Sequence, residues 1–519
     1  MKKVISLLLT LCMMFSVVTV ASAAEIEDDP IIYLMGAAGE IYDADGNLVH
    51  PLNVDAGAII EESLVPCLEQ FAMGYITGDF EAYAQEFCDA WATVYEDVKL
   101  DNNGEASDGS SRRWDVNTVG INDKKGDYRI FDYLFNYDWR LSPFTTAYEL
   151  KSYIDRVKDA TGKDKVNLVS RCYGSNVVAT YLEEYKDHAV ENVGKVLYYT
   201  PSVYGVTYLT AFFSGEIELD DTAVDNFVEY YLANEDLFKD AETKALLDTL
   251  VTFLNQIKVL GIATDAAEDV LDDIKTDLIP KFLRASFASW PSHWAMVLPE
   301  YYESAKKFVF AGCEDEYAGL IEKADNYHYN VQLKFEQTAK ELEARGIKFY
   351  NIVKYNSPAY PLSKEAVQQS DCYTTVSDQS FGAVSANYGE ILSDKYIEKI
   401  ADKKYLSPDN IIDGSTALWK DTTWYVKDLF HDVFPGYIHD VMMIDIFREN
   451  LDGDSEKFPR FLQYDKENGT VYKLEVSEED KPAMEENKWF TSIIDFFTAL
   501  LNFLSKLIKG EISFDIQLG

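Results

Sequence analysis

Residues 165–177 read KVNLVSRCYGSNV, and this stretch decides the fold. Val166, Leu168 and Val169 make a short apolar run of the kind that forms a buried strand. A turn of small residues follows, and from Val177 to Tyr185 the apolar spacing becomes helical. At the turn sits Cys172, framed as Ser170-Arg171-Cys172-Tyr173-Gly174. The frame follows the pattern G-x-S-x-G, with cysteine in the nucleophile's place and serine in the first glycine's. Strand and helix nearly touch in such an elbow, so the residues two before and two after the nucleophile must be small, as Ser170 and Gly174 are. Taken alone, the pentapeptide is also compatible with a buried cysteine in an ordinary turn.

Outward from the elbow, strands and helices alternate. Upstream, Pro30 to Met35 reads as a buried strand entering the loop Gly36-Ala37-Ala38-Gly39, and Ala147 to Ala160 as a helix. A short strand is expected at Val116–Ile121, and Lys195 to Thr200 is the strand after the elbow helix. This spacing predicts a parallel sheet. From 204 to 336 the pattern turns helical, and alternation resumes with a helix at Val331–Ala344 and strands at Ile347–Lys354, Cys372–Val376 and Thr423–Lys427. The expected architecture is α/β: a mostly parallel central sheet flanked by helices, with core halves at 25–203 and 337–475 and a helical cap insertion at 204–336. Asp43-Ala44-Asp45-Gly46-Asn47 resembles the start of a calcium loop but lacks the closing glutamate, and a hairpin turn explains it better.

The ends carry different signals. Residues 1–24 have a basic start at Lys2-Lys3, an apolar run, and Ala21-Ser22-Ala23 as a cleavage site, the pattern of a bacterial secretory leader. A secreted or cell-surface protein is expected. Residues 476–519 form a separate tail in which 489–509 has the spacing of an amphipathic helix, suited to docking on protein or lying weakly on a membrane surface. The net charge of −42 disfavours nucleic acid as a partner. Cys12 leaves with the leader, so the remaining odd cysteines (Cys67, Cys88, Cys172, Cys313, Cys372) leave at least one free thiol. Two bridges plus a free Cys172 would fit, as would five reduced thiols. No CxxC or HExxH spacing occurs, so no structural zinc site is expected.

A thiol nucleophile needs a histidine base and an acid that holds the base's tautomer. Of the six histidines, His50 precedes the elbow, His188 lies far along the helix leaving it, and His293 and His328 fall in the insertion region. His431 follows the strand TWYVK, the right place for a base, whereas His439 sits one helical stretch further on. For the acid, Asp378 follows the strand expected at Cys372–Val376 and is preferred to Asp371, which precedes it, and to Asp413.

YDWRLSP at 137–143, the Glu149-to-Ile154 pattern, the elbow stretch itself and PSHWAMVLP at 291–299 together resemble the lecithin:cholesterol acyltransferase-like branch of the α/β hydrolases. The resemblance spans most of residues 30–440 and implies an α/β-hydrolase fold, a capped site, no cofactor, and acyl-ester hydrolysis or transfer on lipid-like substrates. SDQSF at 377–381 stands where that branch has GDGTV, which again points to Asp378. Cys172 in place of serine is the main departure. In this fold the N–H after the nucleophile and one from the loop after an early strand stabilise the oxyanion, which assigns Tyr173 and Ala37. Arg140 and Trp294 are the candidates for contacting substrate, with pairing to acids as the alternative for Arg140 and for Arg171. A degenerate protein that binds lipid or another ligand without turnover is the competing reading.

Overall fold

The computed structural model describes residues 28–37, 39–50, 70, 77, 81–112, 133–217, 274–359 and 367–476. The leader, the strand expected at 116–121 and the amphipathic stretch at 489–509 lie outside the described residues. The chain divides into two units after Leu474, and everything below concerns the first.

Eight strands form the central sheet: β1 (Ile31–Leu34), β2 (Tyr133–Phe135), β3 (Val166–Cys172), β4 (Val193–Pro201), β5 (Lys348–Tyr355), β6 (Thr423–Lys427), β7 (Phe461–Asp465) and β8 (Thr470–Lys473). Their spatial order is β8-β7-β6-β5-β4-β3-β1-β2, and every pairing is parallel except β7 with β8. β3 and β4 are buried almost end to end, as strands covered by helices on both faces must be. The chain runs outward from β1 to β2, then crosses back to place β3 on the other side of β1. Loops diverge where the order reverses, so the crevice at the carboxyl ends of β1 and β3 is where such a sheet offers a site. This strand order, with the elbow leaving β3, is the α/β-hydrolase fold.

The helices follow from equally local causes. α1 (Pro143–Thr161) starts with Ser142 accepting from the Phe144 N–H, has proline in its first turn, and stops at Gly162 with φ 67°. It buries Ala147, Leu150, Ile154 and Val157, the three- and four-residue stripe visible in the sequence. α2 (Gly174–Glu184) leaves the elbow directly and buries nearly every residue of its first two turns. In the insertion region the described residues carry helices at Thr207–Ser214, Ile279–Ala285, Tyr302–Phe310 and Ala318–Asn330. Under the opposite half of the sheet, Tyr199, Ile352, Trp424 and Val426 pack with Ile438, Met442 and Phe447.

Two expectations change. Residues 372–376 are not a strand: Asp371 accepts from the Tyr373 and Thr374 amides in a tight turn, Cys372 has φ 89°, and a short helix α3 (Val376–Ser380) begins under a Thr375 cap. The apolar spacing there serves a turn, whose backbone bonds are met by an Asp side chain rather than by a ladder. The antiparallel hairpin β7–β8 was not anticipated, although Asn468-Gly469 at its tip is a turn signal; the Asp465 carboxylate accepts from the Glu467 and Asn468 amides there. The turn at 43–47 is a hairpin as expected, with Asp43 accepting from Gly46 and Asn47.

Candidate active site

Cys172 ends β3 with φ 46°. A left-handed backbone costs an L-residue about 1–2 kcal/mol, and strain of this kind collects at functional positions. The neighbouring chains make the geometry tight. A methyl group on Gly174 would sit 2.5 Å from the Met35 carbonyl oxygen, and one on Gly36 would sit 3.0 Å from Cys172 Cβ and 3.5 Å from its Sγ. Glycine at both positions lets the loop after β1 pass directly over the thiol. Ser175 Oγ donates to the Cys172 carbonyl at 2.5 Å and accepts from the Ser202 amide at 2.9 Å, tying the turn to the end of β4.

His431 follows β6 and is fully buried. Its Nδ1–H donates to Asp371 Oδ2 at 2.7 Å, and its backbone N–H donates to the Asp371 carbonyl at 3.0 Å. An ionised carboxylate only accepts, so the proton resides on Nδ1 and Nε2 is left to face the thiol. Nε2 is buried without a hydrogen bond of standard geometry, and Cys172 is the thiol whose charge the imidazole feels; contacts of this kind are often long in the absence of substrate. The Thr200 hydroxyl joins the pair. It donates to Asp371 Oδ2 and lies 3.1 Å from His431 Nδ1, so the Nδ1 proton is shared between two acceptors. Thr200 also has φ 47°, a costly conformation for a β-branched residue.

The electrostatics agree with this arrangement. Burial alone raises the Cys172 thiol, but the His431 charge and its hydrogen-bonding, with Arg171 behind them, hold it below the ordinary thiol range. Burial alone lowers His431, yet Asp371 and the Cys172 thiolate raise it above the ordinary imidazole range. For Asp371 burial acts upward, and His431, Thr200 and the Thr374 amide overcome it to keep the carboxylate low. A thiolate–imidazolium pair backed by a carboxylate is what these three directions describe.

The structure therefore brings Cys172 and His431 together and sets Asp371, not the expected Asp378, against the histidine. Asp378 does not hold the histidine: its Oδ2 accepts from Thr375 Oγ1 in the cap of α3. Asp371 meets the histidine because it lies in the loop leaving β5, the strand two removed from β3. Assuming a strand at 372–376 placed Asp371 on the wrong side of an element that does not exist. Tyr173 follows Cys172 directly as the residue capping α2, and Gly36, one position before Ala37, lies against the Cys172 side chain. Tyr137 donates to the Met35 carbonyl at 2.5 Å and Trp139 Nε1 to the Gly39 carbonyl at 3.3 Å, so the YDW segment anchors the carbonyls of that loop.

Arg140 and Trp294 are interior residues, not substrate contacts. Arg140 is fully buried, grips Asp138 with Nε at 3.0 Å and Nη2 at 2.7 Å, and donates to the Val98 carbonyl and Ser110. Trp294 donates to the Ala288 carbonyl and stacks on Phe310 with ring centroids 4.9 Å apart. Arg171 pairs with Asp432 at 2.8 Å and lies over the Phe434 ring. None of the four described cysteines, Cys88, Cys172, Cys313 and Cys372, is in a disulfide, so the two-bridge expectation does not hold.

No family model matches this chain, and no curated protein sequence matches it. Among solved structures, Tle4 in its complex with Tli4 is similar at 10% identity and a TM-score of 0.24, over 64% of this chain and 76% of its own. The Saccharomyces cerevisiae prohormone-processing carboxypeptidase Kex1 is similar at 11% identity and 0.24, over 87% and 86%. The haloalkane dehalogenase DatA from Agrobacterium tumefaciens C58 is similar at 12% identity and 0.14, over 62% and 81%. The fold assignment rests on strand order and the elbow, not on these likenesses.

Proposed function

We propose that this chain is a secreted acyl-ester hydrolase or acyltransferase in which Cys172 is the nucleophile, His431 the base and Asp371 the orienting acid. The observation that carries the reading is a strained cysteine at a strand-to-helix elbow, addressed by a buried histidine whose other nitrogen is held by a buried carboxylate. The thiolate attacks the ester carbonyl carbon, forming a C–S bond and an oxyanion under the amides of Tyr173 and the 36–37 loop. Collapse breaks the C–O bond, and the His431 imidazolium gives its Nε2 proton to the departing alcohol. In the thioester that remains, His431 takes a proton from water or an acceptor alcohol, whose oxygen attacks the acyl carbon. The C–S bond breaks, and the thiolate and imidazolium are restored. The YDWR and PSHW resemblance favours lipid-like acyl chains, and the leader favours action outside the cytoplasm.

The test is hydrolysis of short- and long-chain p-nitrophenyl esters by the wild type, Cys172→Ala and His431→Ala, with iodoacetamide-treated wild type beside them. Turnover abolished in all three altered proteins supports the reading. A folded wild type without turnover on any ester, with a thiol no more reactive than free cysteine, overturns it in favour of a binding protein.

A further inference from the structure

Lys354 lies near the end of β5, entirely buried, and takes no part in the chemistry above. Its ammonium donates to the carbonyls of Phe430 at 3.2 Å, His431 at 2.6 Å and Val433 at 3.0 Å. These bonds use all three donors of an ammonium and span both sides of the base. The cation also lies 4.6 Å from the Tyr199 ring centroid and 4.8 Å from that of Phe434. The charged and titratable groups around it are Arg171 on β3, Cys172 at the elbow, Asp371 in the acid loop and Asp432 in the base loop. Asp371 and Asp432 are balanced by Arg171 and Lys354, so a Cys172–His431 ion pair forms in a cluster that is neutral around it. Without Lys354 the surroundings carry an unmatched negative charge, which opposes a thiolate.

Resting on the proposed reaction, we propose that the Lys354 ammonium is the positioning group of the base: it fixes the 430–433 backbone so that His431 addresses Cys172, and it supplies the cation that lets the thiolate form. A neutral amine has one N–H fewer and leaves one carbonyl of the loop without a donor. Burial first, then Arg171, pushes the ammonium down to about 7, against the opposing pull of Asp371, Asp432 and Cys172. The clamp is therefore sensitive to neutral pH, and a thiolate at Cys172 reinforces it.

The test measures the rate of Cys172 alkylation by iodoacetamide from pH 5 to 10 in wild type, His431→Ala and Lys354→Met. In Lys354→Met the rate at pH 6 should fall about ten-fold and the profile should move upward by about one pH unit, toward that of His431→Ala, because one unit is a factor of ten in thiolate. A profile matching wild type, with only a lowered melting temperature, makes Lys354 structural and overturns the proposal. If Lys354→Met does not fold, nitrogen-15 NMR of lysine in the wild type decides. A Lys354 ammonium signal protected from exchange with solvent that shifts in His431→Ala supports the clamp, and a signal exchanging with solvent like surface lysine overturns it. A wild type with unreactive Cys172 but a protected Lys354 signal defeats the proposed reaction, not the clamp's existence.

Discussion

Replacing Asp371 by Asn separates the acid assigned by the structure from the one the sequence favours. The carboxylate accepts from His431 Nδ1 at 2.7 Å and from Thr200 with one oxygen, and from the Tyr373 and Thr374 amides at 3.1 and 2.9 Å with the other. An Asn side chain keeps its oxygen on the two amides and turns its NH2 toward His431. Nδ1 must then accept, the imidazole proton moves to Nε2, and the histidine can no longer take a proton from the thiol. The imidazolium also loses the buried charge that raises it. Loss of tautomer control and of the charge-assisted bond together cost about 10²–10⁴-fold in rate, or about 3–5 kcal/mol. The assay is kcat/KM on a p-nitrophenyl ester together with the alkylation profile of Cys172, in Asp371→Asn and Asp378→Asn. Asp378→Asn should stay within about three-fold of wild type, because its carboxylate accepts from Thr375 in the cap of α3, where a lost cap costs about 1 kcal/mol of stability. Equal losses in both variants, or a larger loss in Asp378→Asn, would refute the assignment of Asp371.

Other outcomes follow from the same geometry. Lys354, pushed down to about 7, should make wild-type stability rise with pH above that value, but the contribution of the Cys172–His431 pair should be flat between about pH 6.5 and 8.5, because folded pair and unfolded chain each hold one proton there. It should decline on the acid side as the lowered Cys172 is protonated, and on the alkaline side as the raised His431 loses its proton. In Cys172→Ala only the histidine of the pair remains, so its stabilisation, full below about 6.5, should decline steadily with pH above that value; the difference in denaturant midpoint between wild type and Cys172→Ala across pH reads this, because the Lys354 background is common to both. Arg140→Ala should cost about 3–5 kcal/mol in chemical denaturation by orphaning the buried Asp138, with KM of the folded enzyme unchanged. Gly36→Ala should cut kcat far more than it lowers the melting temperature, because the added methyl meets the thiol side chain. Gly174→Ala should impair folding itself, since its methyl meets two backbone carbonyls. Thr200→Ser should retain most activity while Thr200→Val loses it, because only the hydroxyl reaches Asp371 and His431.

The elbow was legible because its constraints are local. A strand, a turn of small residues and a helix declare themselves within thirteen positions, and Cys172 stands at the one place between them where a side chain projects. His431 was legible for a related reason: β6 has the aromatic and β-branched residues of a buried strand, and the loop beyond its carboxyl end lies on the same edge of a parallel sheet as the elbow. A mostly parallel sheet then follows from the alternation, whereas the order of its strands does not. Composition, the leader pattern and the odd cysteine count are also properties of the chain alone.

Tertiary structure decided the rest. Asp371 and His431 are 60 positions apart, and nothing near Asp371 in the sequence distinguishes it from Asp378; the distinction lies in which carboxylate the loop after β5 turns toward β6. Thr200 and Lys354 look like ordinary strand residues, and their roles exist only because β4 and β5 end beneath the base loop. Arg140 and Trp294 read as candidate substrate contacts, and packing buries both. A local motif specifies its own backbone, because its bonds are made within a few residues. Which buried charge meets which partner is set by contacts between distant segments, and only the folded chain brings these together.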